Sequence, residues 1–214
     1  MPLHIHLDAT YAADPRPTGV ANYSRELLYG LAAAYPEDTY RFCYRMHRFR
    51  KSLATALPPN ARRLPLIDHL LPFRPRIFHG LNQRLPHLRL RRAVSTFHDL
   101  FVLTSRYSTD EFRERFALQA RDAATRSDLV ICVSAFTASQ VEDLLDVPAA
   151  RVRIVPHGVR VPDPASVPSA EERAPLILFV GALQKRKNVA ALVSAFARVS
   201  APWELVLIGG QGYG

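Results

Sequence analysis

Lysine is scarce in this chain. Only Lys51, Lys185 and Lys187 occur, so arginine supplies 25 of the 28 basic residues. Cysteine is scarcer still. Cys43 and Cys132 each sit in an apolar run, which excludes a disulfide-stapled scaffold. They read as buried small hydrophobes in a reducing setting. Nine glycines stand against 17 prolines, so rigid connections are expected rather than flexible ones. No run approaches the ~18 apolar residues of a membrane span. The opening "MPLHIHLDAT" lacks the basic and then apolar segments of a secretory signal. The glycine-rich dinucleotide fingerprint is absent, and no repeat of fixed period stands out.

What is present supports a sizeable core. Apolar residues make up 48% of 214, enough for one large domain or for one domain and part of another. The net charge of +9 favours anionic partners such as phosphates, nucleic acid or an acidic membrane surface.

Strand and helix patterns alternate along the chain. "LHIHLDA" (3–9) reads as a first strand. Thr18-Gly19 then opens a helix with Val20, Tyr23, Leu27, Leu28 and Leu31 near helical spacing. "TYRFCYR" (39–45), "RIFHG" (76–80), "AVSTFHDL" (93–100), "DLVICVS" (128–134) and "RVRIVP" (151–156) read as further strands. Residues 109–126 read as a long polar helix, and Ser134 is placed to cap a helix over "AFTASQVEDLL". Near-continuous apolar strands alternating with helices predict a parallel sheet covered on both faces. Residues 161–175 carry Pro162, Pro164, Pro168 and Pro175 and read as a linker. A fresh unit follows: strand "LILFVG" (176–181), a helix over about 188–198, and strand "WELVLIGG" (203–210). The expected organisation is a complete α/β domain over 1–160, the linker 161–175, and the first βαβ unit of a second domain over 176–214.

Two of the three lysines flank Arg186 in "GALQKRKN". Gly181 ends an apolar strand there, and Val189, Leu192, Val193 and Phe196 follow i, i+3, i+4, i+7 spacing. Ligands of open parallel sheets bind beyond the carboxyl ends of strands. The free N–H groups and positive dipole end of a helix attract anions, and an adjacent Lys or Arg adds full charge. This pattern suits a phosphate site. A solvated charged loop has the same composition.

Several motifs, in order, carry a resemblance. "TGVANYSREL" (18–27), "STFHDL" (95–100), "ICVSAFTASQV" (131–141), "IVPHGV" (154–159) and "GALQKRKNVAALVSAF" (181–196) resemble segments of the family-4 retaining glycosyltransferases. The final "LVLIGGQGYG" (205–214) matches as well. Within that family the chain is most similar to the bacterial mannosyltransferase-like group that builds surface polysaccharides.

The resemblance implies a GT-B type α/β fold: a complete Rossmann-like N-terminal domain for the acceptor, then the start of a Rossmann-like domain for the donor. It implies transfer of a sugar from a nucleoside diphosphate to a saccharide or lipid-linked acceptor hydroxyl, with the anomeric configuration kept. Neither a metal nor another cofactor is expected. By motif, Arg186 and Lys187 correspond to the donor-diphosphate pair, Gly19 to the glycine of the first loop, and His98 to the histidine facing the transferred sugar. His79, at the end of another strand, is a candidate for the acceptor cleft. Ala182 stands where many members have a polar residue. The paired-glutamate segment that holds sugar and ribose has no counterpart here, so the 214 residues are expected to be inactive alone. The alternative is a non-catalytic α/β module that binds a nucleotide, a partner or a membrane.

Other candidates have plainer readings. His98 and adjacent Asp99 point to opposite sides of an extended chain and so cannot form a direct pair. Without the resemblance, His98 reads as a satisfied structural histidine. His4 and His6 share one strand face, but zinc needs three or four ligands. "YRMHRFRK" (44–51) and "RLPHLRLRR" (84–92) suit an anionic membrane surface or an arginine-rich solvated face. No nucleic-acid fold signature is present, so nucleic acid is not an expected partner. The expected location is cytoplasmic, with peripheral contact at the inner face of the membrane.

Overall fold

The computed structural model describes residues 2–15, 18–68, 75–167, 169 and 173–212. The chain divides into two compact units. Unit 1 comprises Met1–Leu103 and Glu114–His157; unit 2 comprises Thr104–Arg113 and Gly158–Gly214. Unit 1 ends at His157, where the sequence reading placed a boundary at 160. The assignment of Thr104–Arg113 to unit 2 had no signal in the strand–helix alternation, because it depends on spatial grouping rather than order along the chain. Within residues 161–175, a 3-10 turn spans Pro164–Ser166, and 168 and 170–172 lie outside the described residues.

Unit 1 is built on seven strands. These are β1 (His4–Asp8), β2 (Thr39–Arg45), β3 (Ala61–Leu66), β4 (Ile77–Gly80), β5 (Ala93–Phe97), β6 (Leu129–Cys132) and β7 (Val152–Ile154). They form one sheet in the order β3-β2-β1-β4-β5-β6-β7, and every pairing is parallel. The connecting helices are α1 (Gly19–Ala34), α2 (Met46–Ser52), α3 (Phe101–Thr104), α4 (Asp110–Arg126) and α5 (Ala135–Leu145).

Local chemistry explains where these helices begin. Thr18 has extended backbone geometry, and its hydroxyl accepts from the Ala21 amide, capping α1. The helix then buries Ala21, Ser24, Leu28 and Ala32, one stripe at three- and four-residue spacing. Ser134 caps α5 in the same way, accepting from the Thr137 amide at 3.1 Å.

Two apolar clusters fill the unit. One gathers Phe78, Phe97, Val130, Cys132 and Val141 with neighbours. The other gathers Leu7, Leu28, Tyr40 and Phe42. Both cysteines are buried and free, as expected.

β3, α2 and the short α3 had escaped the sequence reading. β3, "ARRLPL", carries two arginines and a proline and shows no apolar alternation. It is an edge strand paired only with β2, which is where a proline costs no ladder bond on its open side. The α2 helix forms from the basic stretch after β2, with Phe49 packed against the second cluster.

The chain runs outward from β1 to β2 and β3, then returns to the other side of β1 as β4. The carboxyl ends of β1 and β4 therefore bracket a topological switch point, where open α/β sheets hold their ligands.

Unit 2 contains β8 (Leu176–Val180), α6 (Val189–Phe196) and β9 (Glu204–Ile208), with β8 and β9 parallel. The ladder continues past the strands through a bridge between Leu183 and Gln211. Gly209 has a φ of 159°, and a Cβ there would lie 1.8 Å from the Gly181 carbonyl oxygen. Only glycine fits that approach of the two chain segments.

Candidate functional site

The unit 1 candidates assemble at the carboxyl ends of the sheet. β5 ends at Phe97, so His98 is the first residue beyond the strand and is half-buried. Its Nε2–H donates to the Leu81 carbonyl at 3.0 Å. That bond selects the tautomer and leaves Nδ1 as the free acceptor. Burial lowers the His98 pKa from its ordinary value and outweighs the bond to Leu81; His157 lowers it further and Asp99 opposes. The imidazole is therefore held neutral. The backbone of His98 is tied as well, since the Thr137 hydroxyl of α5 donates to its carbonyl at 3.3 Å. That is what the "VSAFT" junction does in this fold: Ser134 caps the helix, and Thr137 in its first turn holds the end of β5.

Three rings meet at His98. Tyr23 of α1 lies edge-on to it, with centroids 4.7 Å apart and planes at 82°. Tyr23 also contacts His157 at 4.9 Å. The His98 and His157 rings stack at 5.4 Å and 20°. Sequence reasoning had singled out neither Tyr23 nor His157 as a site residue. Tyr23 had appeared only as an apolar helix position and His157 only inside "IVPHGV". The sole signal was that both fell within the resembling motifs.

His79 stands at the carboxyl end of a strand, as the sequence suggested. It is the penultimate residue of β4, followed by Gly80, and is 8% exposed. Its Nε2 bonds the Thr96 hydroxyl at 2.9 Å, and the same hydroxyl meets Tyr23 Oη at 3.3 Å. Burial pushes the His79 pKa down to about 4. It is thus a neutral support beneath Tyr23. Gly80 makes the tight return after it possible, because a Cβ there would meet the Arg84 carbonyl at 2.4 Å. Gly19 begins α1 with open space around it: a Cβ would meet nothing within 4 Å. Among the described residues no contact demands glycine at that position.

Arg186 and Lys187 belong to unit 2. The sequence pattern suggested a loop, but Lys185–Lys187 form a 3-10 turn. Asn188, with φ 51°, links the turn to α6 and places no side-chain cap on it. With the Gln184 amide oriented to satisfy its neighbours, its oxygen accepts from Arg186 Nε and Nη2 at 3.1 Å. Lys187 is exposed, and its ammonium has no bonding partner among the described residues.

The two basic stretches are partly spoken for. Arg45 bonds Asp68 at 2.8 Å and approaches Asp8 at 4.0 Å. Arg48 pairs with Asp14, Arg84 with Asp68, and Arg92 with Asp128. His4 bonds Thr39, and His6 is buried, its pKa lowered to about 4 chiefly by burial. Among the described residues no cluster of three or more metal-ligating side chains exists, and no helix is long and apolar enough to cross a membrane.

A parallel seven-stranded sheet with its candidate groups at the carboxyl ends defines a doubly wound α/β protein. Residues 17–161 match Glycosyltransferase Family 4, more than half of the sequence, and the chain belongs to that family. O-antigen chain mannosyltransferase B of Escherichia coli is 28% identical over 151 residues, 64% of this chain and 39% of that protein. Sucrose-phosphate synthase from Thermosynechococcus elongatus superposes with a TM-score of 0.66 at 19% identity, covering 97% of this chain and 62% of that one. Anabaena Alr3699/HepE, solved with UDP and glucose, gives 0.61 at 12% identity, covering 99% and 62%. The chain thus spans 39% to 62% of the length of these relatives.

Proposed function

We propose that this chain supplies the acceptor-side domain and the opening of the donor-side domain of a retaining glycosyltransferase. The complete enzyme moves a sugar from a nucleoside diphosphate to an acceptor hydroxyl and keeps the anomeric configuration. Family membership supports the reaction class. The mannosyltransferase relative supports a role in surface polysaccharide or glycolipid synthesis, and the UDP and glucose held by one structural neighbour support a nucleotide-sugar donor.

The observation that carries the reading is Lys187. It is an uncommitted cation in the turn that follows β8, two residues before the uncapped start of α6 at Val189. Breaking the glycosidic bond to a diphosphate builds negative charge on the leaving oxygens. A fixed cation and helix N–H groups stabilise that charge most where it develops. Arg186, braced by Gln184, stands beside it, and Gly19 leaves room for close approach of a phosphate or acceptor to the start of α1. His98, neutral and with Nδ1 free, accepts a hydrogen bond from a hydroxyl of the transferred sugar.

Lys187→Ala tests the donor site. A charge-assisted bond to phosphate is worth about 1.5–3 kcal/mol, so the substitution in the complete enzyme weakens nucleoside-diphosphate binding roughly 10- to 150-fold by titration calorimetry. Unchanged affinity would return the triplet to a solvated turn and favour a non-catalytic module. His98→Ala tests the sugar site. Turnover falls by roughly 10²-fold, as for loss of one preorganised hydrogen bond, while the melting temperature stays nearly unchanged. Equal loss of both would make His98 structural. The 214 residues alone bind the diphosphate weakly and transfer no sugar in the same assay.

We place the enzyme on the cytoplasmic side, with peripheral contact to an anionic leaflet through α2. Arg50 and Lys51 are exposed there, and Met46 and Leu53 are 58% and 60% exposed. Sedimentation with anionic but not neutral vesicles is the expected result.

A further inference from the structure

We infer that Tyr23 is the positioning residue of the unit 1 site, holding both His98 and His157 through one ring. The inference rests on the functional reading of His98. Its physical basis is independent of that reading.

Tyr23 is one of the half-buried apolar positions of α1, with Val20, Leu27, Tyr29 and Leu31. The helix buries Ala21, Ser24, Leu28 and Ala32, whereas Tyr23 is only half-buried and reaches the end of β5. Its ring meets His98 at 4.7 Å and His157 at 4.9 Å, both edge-to-face. In that geometry the ring edge of one group meets the π-face of the other. The two imidazoles stack on each other at 5.4 Å. Each ring therefore has two others as neighbours, and removing Tyr23 takes away two of the three contacts.

The ring is itself anchored from below. Its Oη meets Thr96 Oγ1 at 3.3 Å, and Thr96 Oγ1 meets His79 Nε2 at 2.9 Å. Thr96 is fully buried and His79 nearly so. Both bonds are met together when Tyr23 donates to Thr96 and Thr96 donates to the bare Nε2 of His79. Burial, which keeps His79 neutral, preserves that acceptor. The chain runs from the middle of β4, through β5, to the first turns of α1, so three elements fix one phenol.

The consequence is rotational. His98 has one ring bond, Nε2 to the Leu81 carbonyl. A single bond leaves the imidazole free to pivot about it. The edge of Tyr23 and the face of His157 remove that freedom, so Nδ1 keeps one direction. His157 is also the last residue of unit 1. The same phenol thus contacts the last residue of that unit.

Histidine ring C–H resonances of the 214-residue chain test this directly. Replacing an aromatic ring at such distances changes the ring-current shifts of its neighbours. Tyr23→Leu moves the His98 and His157 signals together and leaves that of His6 in place. Tyr23→Met serves if the leucine variant does not fold. Tyr23→Phe keeps the ring and restores most of both shifts. Unmoved His98 and His157 signals in a folded Tyr23→Leu or Tyr23→Met chain would overturn the inference and leave Tyr23 as core packing. His157, Asp99 and Tyr23 are the titratable groups that act on or touch His98, so a His98 titration across the variants reports the same packing. In the complete enzyme, Tyr23→Leu lowers kcat roughly 10- to 100-fold without a matching rise in donor KM, and Tyr23→Phe restores it. Moved signals with unchanged kcat would uphold Tyr23 as the positioning residue and reject the role of His98 in transfer.

Discussion

Units 1 and 2 are built from the same strand–helix–strand grammar but reach different states of burial. In unit 1, Phe42, Phe78 and Phe97 are fully buried, and seven strands share two apolar clusters. In unit 2, β8, α6 and β9 contain no buried residue among those described, and Val180 and Ile208 are 68% and 52% exposed. The apolar pattern of β8 is as strong as that of β5. The comparison teaches that a pattern specifies an element, whereas burial needs neighbours on both faces of the sheet. Titratable groups divide as sharply. All eight histidines fall within the ranges of unit 1, while two of the three lysines fall in unit 2.

The sharpest test of that contrast is truncation in matched strands. Phe97→Ala in β5 removes a fully buried ring and destabilises unit 1 by about 3–5 kcal/mol. Leu178→Ala in β8, at 51% exposure, changes stability by less than about 0.5 kcal/mol. Denaturant midpoints of the two variants decide it. Equal losses would mean that β8 is covered in solution.

Acid should act on unit 1 through its histidines. His79 titrates near its ordinary value of 6.5 when unfolded and at about 4 when folded. Its folded pKa is depressed, so its contribution is fully present above about 6.5 and is lost as pH falls towards 4. The full loss is on the order of 3 kcal/mol. His6, also lowered to about 4, adds in the same window and the same direction. Unit 2 has no histidine, so hydrogen exchange followed from pH 7 to 4.5 should show protection falling in β1, β4 and β5, with no histidine-linked change in β8 and β9. His79→Gln should flatten the pH dependence of unit 1.

Two glycines sharpen the comparison at smaller scale. Gly209→Ala combines a positive φ with a Cβ clash against Gly181. It should cost about 1–3 kcal/mol, confined to exchange protection of β8 and β9. Gly19→Ala faces open space and should change stability by less than about 0.5 kcal/mol. A loss of stability at Gly19 to match that at Gly209 would show a contact that the free chain does not make.

Much of the architecture was legible because it depends on short-range pattern. Apolar runs bounded by polar turns marked β1, β2, β4, β5, β6 and β7 within a few residues of their ends. Thr18 and Ser134 marked two helix starts, because a capping hydroxyl acts within three residues of itself. β3 was not legible, since an edge strand with one partner tolerates Arg62, Arg63 and Pro65. The ordered resemblance of the motifs led to the family, which the match over residues 17–161 establishes.

What the sequence determined alone was therefore local: the kind and order of the elements, their caps, and a cluster of positive charge before α6. Tertiary structure decided depth and company. His79 and His98 each stand at or next to a strand end, yet one is a buried neutral support and the other half-open. A shift of one or two residues relative to a strand terminus decides whether a ring enters the core. Tyr23, Thr96, His98 and His157 are separated by as many as 134 positions and meet only because the fold brings α1 against the end of β5. The arginines of the basic stretches looked equivalent in sequence. Folding divided them into Arg45, locked against Asp68, and Arg50, left in water, because pairing depends on which carboxylate the chain brings within reach.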